Sequence, residues 1–397
     1  MLFNVSPLSK TNLILLGLTY FFYYGQLGVL VPYIGVFLDG RGYSSEQIGQ
    51  ILAYITIARI IGPNLWSVLA SYCQPGLFIM RLGAFLAFIC TFLAYYYHGF
   101  WIVTLSLGLM MMFWTAIVPQ LEVVAMDCCQ GSAQGYANLR MWGSIGFIVL
   151  SIILGALLDM TSTEVVLYSM TLVLFALFVM TCMIATPEHP VERTDQLAHN
   201  QAQWQLARSA PFVLFILSAL LLQFSLGPFY TFFALYAEDL GYTGAQTGWL
   251  VALGVIAEIA MFFVAGRLLQ RFSLNNMLII SMVFTALRWY LLAYWAESTI
   301  LVITSQLLHA FSFGLTHCAS ISFIHRYFDK SFQARGQAIY VSVAFGVGGA
   351  AGSYLGGLYW DQGAGAQFTF ILSMGIALLA GAILLFARHP LLQSPAK

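Results

Sequence analysis

The chain has 397 residues, of which 60% are apolar and only 8% charged, against about 25% charged in an ordinary soluble domain. With 32 Phe, 21 Tyr and 9 Trp and a mean hydropathy of +0.85, most of its surface needs a low-dielectric solvent, which excludes a soluble globular protein, a disordered chain, collagen and a disulfide scaffold. Fifteen Lys and Arg balance fifteen Asp and Glu, so no basic surface attracts a polyanion. Nucleic acid is therefore not an expected partner, whereas a lipid bilayer and a small molecule are.

Twelve apolar segments of about 20 residues or more follow in chain order, near 12–37, 47–72, 77–97, 100–127, 138–158, 164–186, 211–237, 246–269, 275–296, 299–325, 337–360 and 366–387. They lack the alternation of a porin strand, and backbone at hydrocarbon depth must bond within its own segment, so the expected fold is an all-α membrane protein of twelve helices. The first run begins near Asn12 and continues for roughly 26 residues with no A-x-A-like exit, too long for a signal-peptide core, so it is expected to remain as the first span. It carries Tyr20, Tyr23, Tyr24 and Gln26 in TYFFYYGQLG; such tyrosines are either interfacial anchors or hydrogen-bonding groups for a solute. The polar stretch Pro187–Ser209 reads as a cytoplasmic linker, dividing the chain into a six-helix half at 1–186, the linker at 187–209 and a second half at 210–397.

A repeat supports the division. GYSSEQIG at Gly42–Gly49 matches GYTGAQTG at Gly241–Gly248 at an offset of 199, which also places Arg59 on Glu258; Asp159 and Asp361 are related by 202. Two weakly similar halves are the mark of a secondary transporter with its cavity between repeats. Eleven basic residues, running from Lys10 through Arg193 and Arg267 to Arg388 and Lys397, fall on one side, against Arg41 on the other. The excess predicts both termini in the cytoplasm.

Charges at bilayer depth cost at least about 2.5–3.5 kcal/mol each on insertion scales, so those retained need a partner, a polar cavity or a function. Arg59 and Glu258 each lie about twelve residues into their segments, some 18 Å along the helix and hence near the midplane. Glu258 is either a carboxyl that takes up and releases a proton as its surroundings alternate between wet and closed, or half of a structural ion pair. Arg59 cannot release a proton and suits a fixed intramembrane counter-charge. Arg288 with His309 and His317 forms a second cluster, whose imidazoles can relay protons or bond to a solute from one helix face. Glu122 and Arg140 form a third, either a salt bridge or a fork for a carboxylate or a pair of hydroxyls. The glycines of Gly346–Gly357 repeat at small-xxx-small spacing, which lets helices approach closely. Six cysteines, Cys73, Cys90, Cys128, Cys129, Cys182 and Cys318, show no metal or redox spacing and are expected to be packing residues. The sequence also contains no Walker lysine, H-E-x-x-H or G-x-S-x-G motif.

The segment YANLRMWGSIGF (Tyr136–Phe147), with Glu122 eighteen residues before Arg140, and the pattern LRW…LLHAFSFGLTH around Arg288 and His309 resemble signatures of the major facilitator superfamily. Within it the chain is similar to the lactose-permease-like proton symporters, and especially to the group typified by the bacterial 3-phenylpropionate permease. The resemblance implies that Glu122 and Arg140 contact substrate and that Arg288 and His309 belong to a proton and substrate network. Tyr23, Tyr24, Trp142 and His317 are further candidate substrate contacts, and Glu258, argued from its own place near the midplane, joins Arg288 and His309 as the expected proton-coupling group. The sequence also departs from lactose permease. Ser312 stands where that protein has a proton-carrying glutamate, Glu258 lies one turn beyond its helix-eight glutamate, and Ala70–Ser71 replaces the usual acid between the second and third helices. The expected protein is a monomeric, multi-pass carrier of a bacterial-type inner membrane. It imports protons with an aromatic or short-chain carboxylate by alternating access and uses no metal or cofactor. A sugar or nucleoside symporter and an efflux carrier are the alternatives; an enzyme is not expected.

Overall fold

The computed structural model describes residues 10–72, 76–129, 132–184, 200–387 and 389–395. Positions 187–199 of the linker lie outside these, as do Arg193, Arg388, Lys397 and Cys73. Twelve long helices account for most of the described residues. In the first half of the chain they are α1 (Lys10–Gly40), α2 (Ser45–Tyr72), α3 (Leu77–Tyr96), α4 (Phe100–Cys128), α5 (Ala133–Leu158) and α6 (Val165–Met183). They continue as α7 (Ala210–Asp239), α8 (Gly244–Arg271), α9 (Leu274–Tyr294), α10 (Thr299–Tyr327), α11 (Gln333–Gly363) and α12 (Ala366–Leu384). Among the described residues eleven are long and apolar enough to cross a membrane. The other, α2, is as long at 28 residues and carries Arg59 halfway along it. Among the described residues the sole β feature is an isolated bridge, Ser273 to Pro395.

By contact the chain forms two compact units, Met1–Phe37 with Ala58–Glu192, and Leu38–Ile57 with Arg193–Lys397. The repeated octapeptides prove to be one device used twice. Gly42 and Gly241 adopt φ of +80° and +85°, a left-handed conformation that a Cβ would strain. Each then leads into a reciprocal capping box: Ser44 and Gln47 exchange bonds of 3.0 and 3.3 Å to start α2, and Thr243 and Gln246 exchange bonds of 2.9 and 3.2 Å to start α8. Two backbone donors at each helix start are satisfied this way.

Small residues set the helix crossings that position the candidate sites. In the first unit a Cβ on Gly146 of α5 would lie 2.1 Å from the Phe21 carbonyl oxygen of α1, so the two backbones touch. In the second, a Cβ on Gly352 of α11 would lie 2.1 Å from the Phe224 carbonyl oxygen of α7, which realises the close approach expected from the α11 glycines. Gly352→Val is therefore expected to lower stability by on the order of 1–3 kcal/mol through overpacking, whereas Gly266→Ala, with open space around it, should not. Thermal unfolding of the purified variants checks both; an unchanged midpoint for Gly352→Val would refute the crossing.

Three of these helices depart from regular α winding. α4 divides at Ala116, between Phe100–Thr115 and Ile117–Cys128. α10 and α11 contain π-helical stretches, Ala310–Leu315 and Val341–Gly348, a wider winding that recurs at functional sites. The described end of the linker, Asn200–Ala207, is a short helix. Gln203 holds it to Asp329 through bonds of 2.7 and 3.3 Å.

Candidate functional site

The candidate site residues gather in two polar clusters among the described residues, one in each unit. In the first, α5 presents Tyr136 and Arg140 one turn apart, the lower part of α4 presents Glu122, and α1 presents three tyrosines. Arg140 Nη1 donates to Glu122 Oε1 at 2.9 Å and also to the Tyr24 hydroxyl. The Tyr136 hydroxyl donates to Glu122 Oε2, so both carboxylate oxygens are engaged. The guanidinium also lies 4.8 Å over the Tyr24 ring, a cation–π contact. Tyr20 stacks parallel to Tyr24 at 6.3 Å, and Tyr23 stacks on Trp114 of α4 at 4.6 Å. The Arg140 and Glu122 side chains are 43% and 30% exposed, so the pair stands at an accessible surface against an aromatic wall. Nη2 and Nε of Arg140 make no bond among the described residues, which leaves donors for a solute. The pair carries no net charge.

Arg59 is exposed on α2, near enough to act electrostatically on Tyr23 and Tyr24. Among the described residues no carboxylate is at ion-pair distance from it. Trp142 is not part of this cluster. Two residues beyond Arg140 on α5, it is turned about 200° around the helix and lines a separate apolar cavity of about 420 Å³ with Leu13, Leu18, Cys128 and Asn138.

In the second unit, α8, α9 and α10 bring together the charges that sequence placed in separate segments. Arg288 is fully buried. Its Nη1 is 3.1 Å from His309 Nδ1, and its Nη2 donates to Gln306 Oε1 at 3.3 Å. The faces of Phe229 and Trp289 cover the guanidinium at 4.0 and 4.8 Å. A guanidinium has no acceptor, so Nδ1 must accept, which puts the imidazole in the neutral form with its hydrogen on Nε2. Nε2 stands 3.8 Å from Glu258 Oε2, the carboxyl halfway along α8. Glu258 also packs on Gly314 in the π-helical stretch of α10, where a Cβ would meet its Cγ at 3.4 Å. His317 is brought onto the same face of α10. Phe313 intervenes, stacked on His309 at 5.9 Å and on His317 at 5.8 Å. Beside these, Thr285 of α9 donates to Ser312 of α10 at 2.9 Å, so Ser312 bonds across the helix pair.

Sequence reading missed Tyr136, Trp114, Gln306 and Phe229. Tyr136 precedes Arg140 by four and Gln306 precedes His309 by three, spacings that share a helix face and could have found them. The aromatic residues carry no such signal in a chain with 32 Phe. Five of the cysteines are free thiols, and no three metal-ligating side chains gather among the described residues.

Residues 13–372 match the MFS_1 like family. The chain is 28% identical to the probable 3-phenylpropionic acid transporter of Escherichia coli (strain K12) over 357 residues, covering 87% of this chain and 93% of that one. It is 27% identical to the maltose permease of Geobacillus stearothermophilus over 376 residues, covering 91% and 92%. The crystal structure of nucleoside transporter NupG superposes with a TM-score of 0.84 at 15% identity, covering 95% of this chain and 99% of that one. These relatives are membrane carriers rather than enzymes. With twelve helices, a family match spanning nearly the whole chain and carrier-type neighbours, the chain belongs to the MFS_1 like family and is a multi-pass solute transporter of the major facilitator fold.

Proposed function

We propose that the chain is a proton-coupled symporter of the inner membrane. It imports a small aromatic or short-chain carboxylate by alternating access, as a monomer, with the proton gradient as its energy source. The observation that carries this reading is the Glu258–His309–Arg288 chain in the second unit. A carboxyl halfway along an apolar helix, facing a neutral imidazole backed by a fixed cation, can hold or release a proton as water reaches it. Arg140, Glu122, Tyr24 and Tyr23 supply the solute contacts of the first unit, and the E. coli relative named for 3-phenylpropionic acid supports the aromatic carboxylate. One observation favours a second reading, a neutral sugar or nucleoside. Glu122 and Arg140 already neutralise each other, a pairing suited to hydroxyl groups.

Sealed proteoliposomes given an inward proton gradient test the proposal. Accumulation of 3-phenylpropionate above its outside concentration, abolished when the gradient is collapsed, is the expected result. Accumulation of a sugar or nucleoside instead supports the second reading, and no gradient-dependent flux of any solute overturns both. The excess of basic residues on one side supports both termini in the cytoplasm. A reporter fused at Lys397 should read cytoplasmic and one inserted at Glu164 periplasmic; finding the two on one side would overturn this orientation.

A further inference from the structure

Arg288 is a permanent cation whose own contacts are all neutral. His309 Nδ1, Gln306 Oε1 and two aromatic faces surround it, and Nε has no acceptor among the described residues. A buried charge with only neutral partners is costly unless an anion lies near. The anion supplied by the second unit is Glu258, on the far side of the imidazole.

We propose that Arg288 and His309 together form a receptor for the carboxylate of the solute, and that Glu258 is the resident anion which the solute replaces when Glu258 takes up a proton. The proposal rests on the carrier reading above and names the group that recognises the carboxylate. Three features support it. First, the imidazole passes the influence of the sealed cation outward: Arg288 is 0% exposed, while the His309 and Glu258 side chains are 10% and 16% exposed, so an incoming anion meets Nε2–H and not the guanidinium. Second, 3.8 Å from Nε2 to Glu258 Oε2 exceeds hydrogen-bond reach, so a carboxylate placed closer makes a bond that Glu258 does not. Third, the approach to Nε2 is aromatic. Phe313 stacks on the imidazole, Tyr230 stands edge-on at 6.4 Å and Phe345 lies 6.0 Å from Phe313, a wall suited to an apolar solute body.

Charge counting then couples the two ligands. With Glu258 ionised, the group of Arg288, His309 and Glu258 is neutral, and a second carboxylate would face a like charge at close range in a low dielectric. With Glu258 protonated the group carries one positive charge and accepts one anion. The proton bonds to a Glu258 oxygen and no other bond changes. The other titratable groups named near this site are Cys318 on α10, which acts on Glu258, Tyr230 on α7, which acts on Arg288, and His317 on α10, stacked beyond Phe313. Cys318 and Tyr230 are uncharged in their protonated forms, and a proton on His317 would add positive charge and so favour the anion further, so ionised Glu258 is the anion the solute has to replace.

The test uses the full chain in lipid nanodiscs and two probes of one shape, 3-phenylpropionate and the uncharged 3-phenylpropanamide, titrated calorimetrically at about pH 5.5 and about pH 8. The parent is expected to bind the carboxylate about tenfold or more tighter at the lower pH and tighter than the amide, with uptake of close to one proton per carboxylate at about pH 8, seen as a dependence of the heat on buffer ionisation. Glu258→Gln should bind the carboxylate without proton uptake and with equal affinity at both pH values. Arg288→Gln should lose carboxylate binding at both. Carboxylate binding at parental strength in Arg288→Gln, or binding by the parent without proton uptake, overturns the receptor. The proton count needs no Arg288 variant, so it decides the matter even where that substitution does not fold. A parent that binds neither probe yet transports a sugar or nucleoside removes the receptor and leaves the carrier standing.

Discussion

Glu258→Gln is expected to bind solute and exchange it across a sealed membrane, yet to lose accumulation driven by a proton gradient. The amide is isosteric with the protonated acid, so the variant is held in the loaded state while His309 keeps its bond from Arg288, 3.1 Å long. Exchange returns the loaded carrier without discharging the proton, so it survives. Net uphill uptake requires deprotonation in each cycle, so it does not. An inward gradient of about two pH units stores about 2.7 kcal/mol per proton, enough for roughly a hundredfold accumulation in the parent, and the variant should stay near unity. Proteoliposomes assayed for gradient-driven uptake and for counterflow give both quantities. Concentrative uptake at the parental rate would move the proton to His309 or His317. Loss of binding as well would assign Glu258 to the solute or to the fold.

The element pattern was legible because a bilayer imposes length and apolarity on every span, and the twelve segments read from sequence correspond to α1–α12. The two octapeptide repeats were legible for a local reason. Glycine followed by a Ser or Thr and a Gln three residues later is sufficient to write a left-handed turn and a capping box, as the bonds at Ser44 and Thr243 show. Pairing of the intramembrane charges was not legible, because it depends on helix rotation and tilt that no single segment encodes. Arg59 and Glu258 occupy equivalent repeat positions, yet Arg59 is exposed without a carboxylate at ion-pair distance among the described residues, and Glu258 faces His309. Arg288 reaches Glu258 only through an imidazole contributed by a third helix. Trp142, next but one to Arg140, lies on another face of α5. Proximity in sequence does not place two residues on one face where rotation of about 100° per residue separates neighbours, whereas the spacings of four and three in Tyr136/Arg140 and Gln306/His309 do.

Arg140→Lys is expected to weaken solute binding by about tenfold to a hundredfold, on the order of 1.5–3 kcal/mol for a hydrogen bond to a charged group, with little change in folding. In the parent, Nη1 serves both Glu122 Oε1 and the Tyr24 hydroxyl, and the planar group lies over the Tyr24 ring while its remaining nitrogens stay available. Lysine keeps the charge, and a single ammonium can still meet Glu122, but it cannot do so and present a second, coplanar pair of donors. Glu122 would remain held through Oε2 by Tyr136, and the backbone contact of α5 with α1 at Gly146 is untouched, so the thermal midpoint should stay near that of the parent. The same reasoning separates the neighbouring residue: Trp142→Ala enlarges a cavity whose lining does not include Glu122 and should spare binding. Titration of the identified solute into the parent, Arg140→Lys and Trp142→Ala, with unfolding midpoints measured alongside, tests the assignment. Parental affinity in Arg140→Lys would make the Arg140–Glu122 pair a structural bridge between α5 and α4. A large loss confined to Trp142→Ala would move the solute contact to the other face of α5.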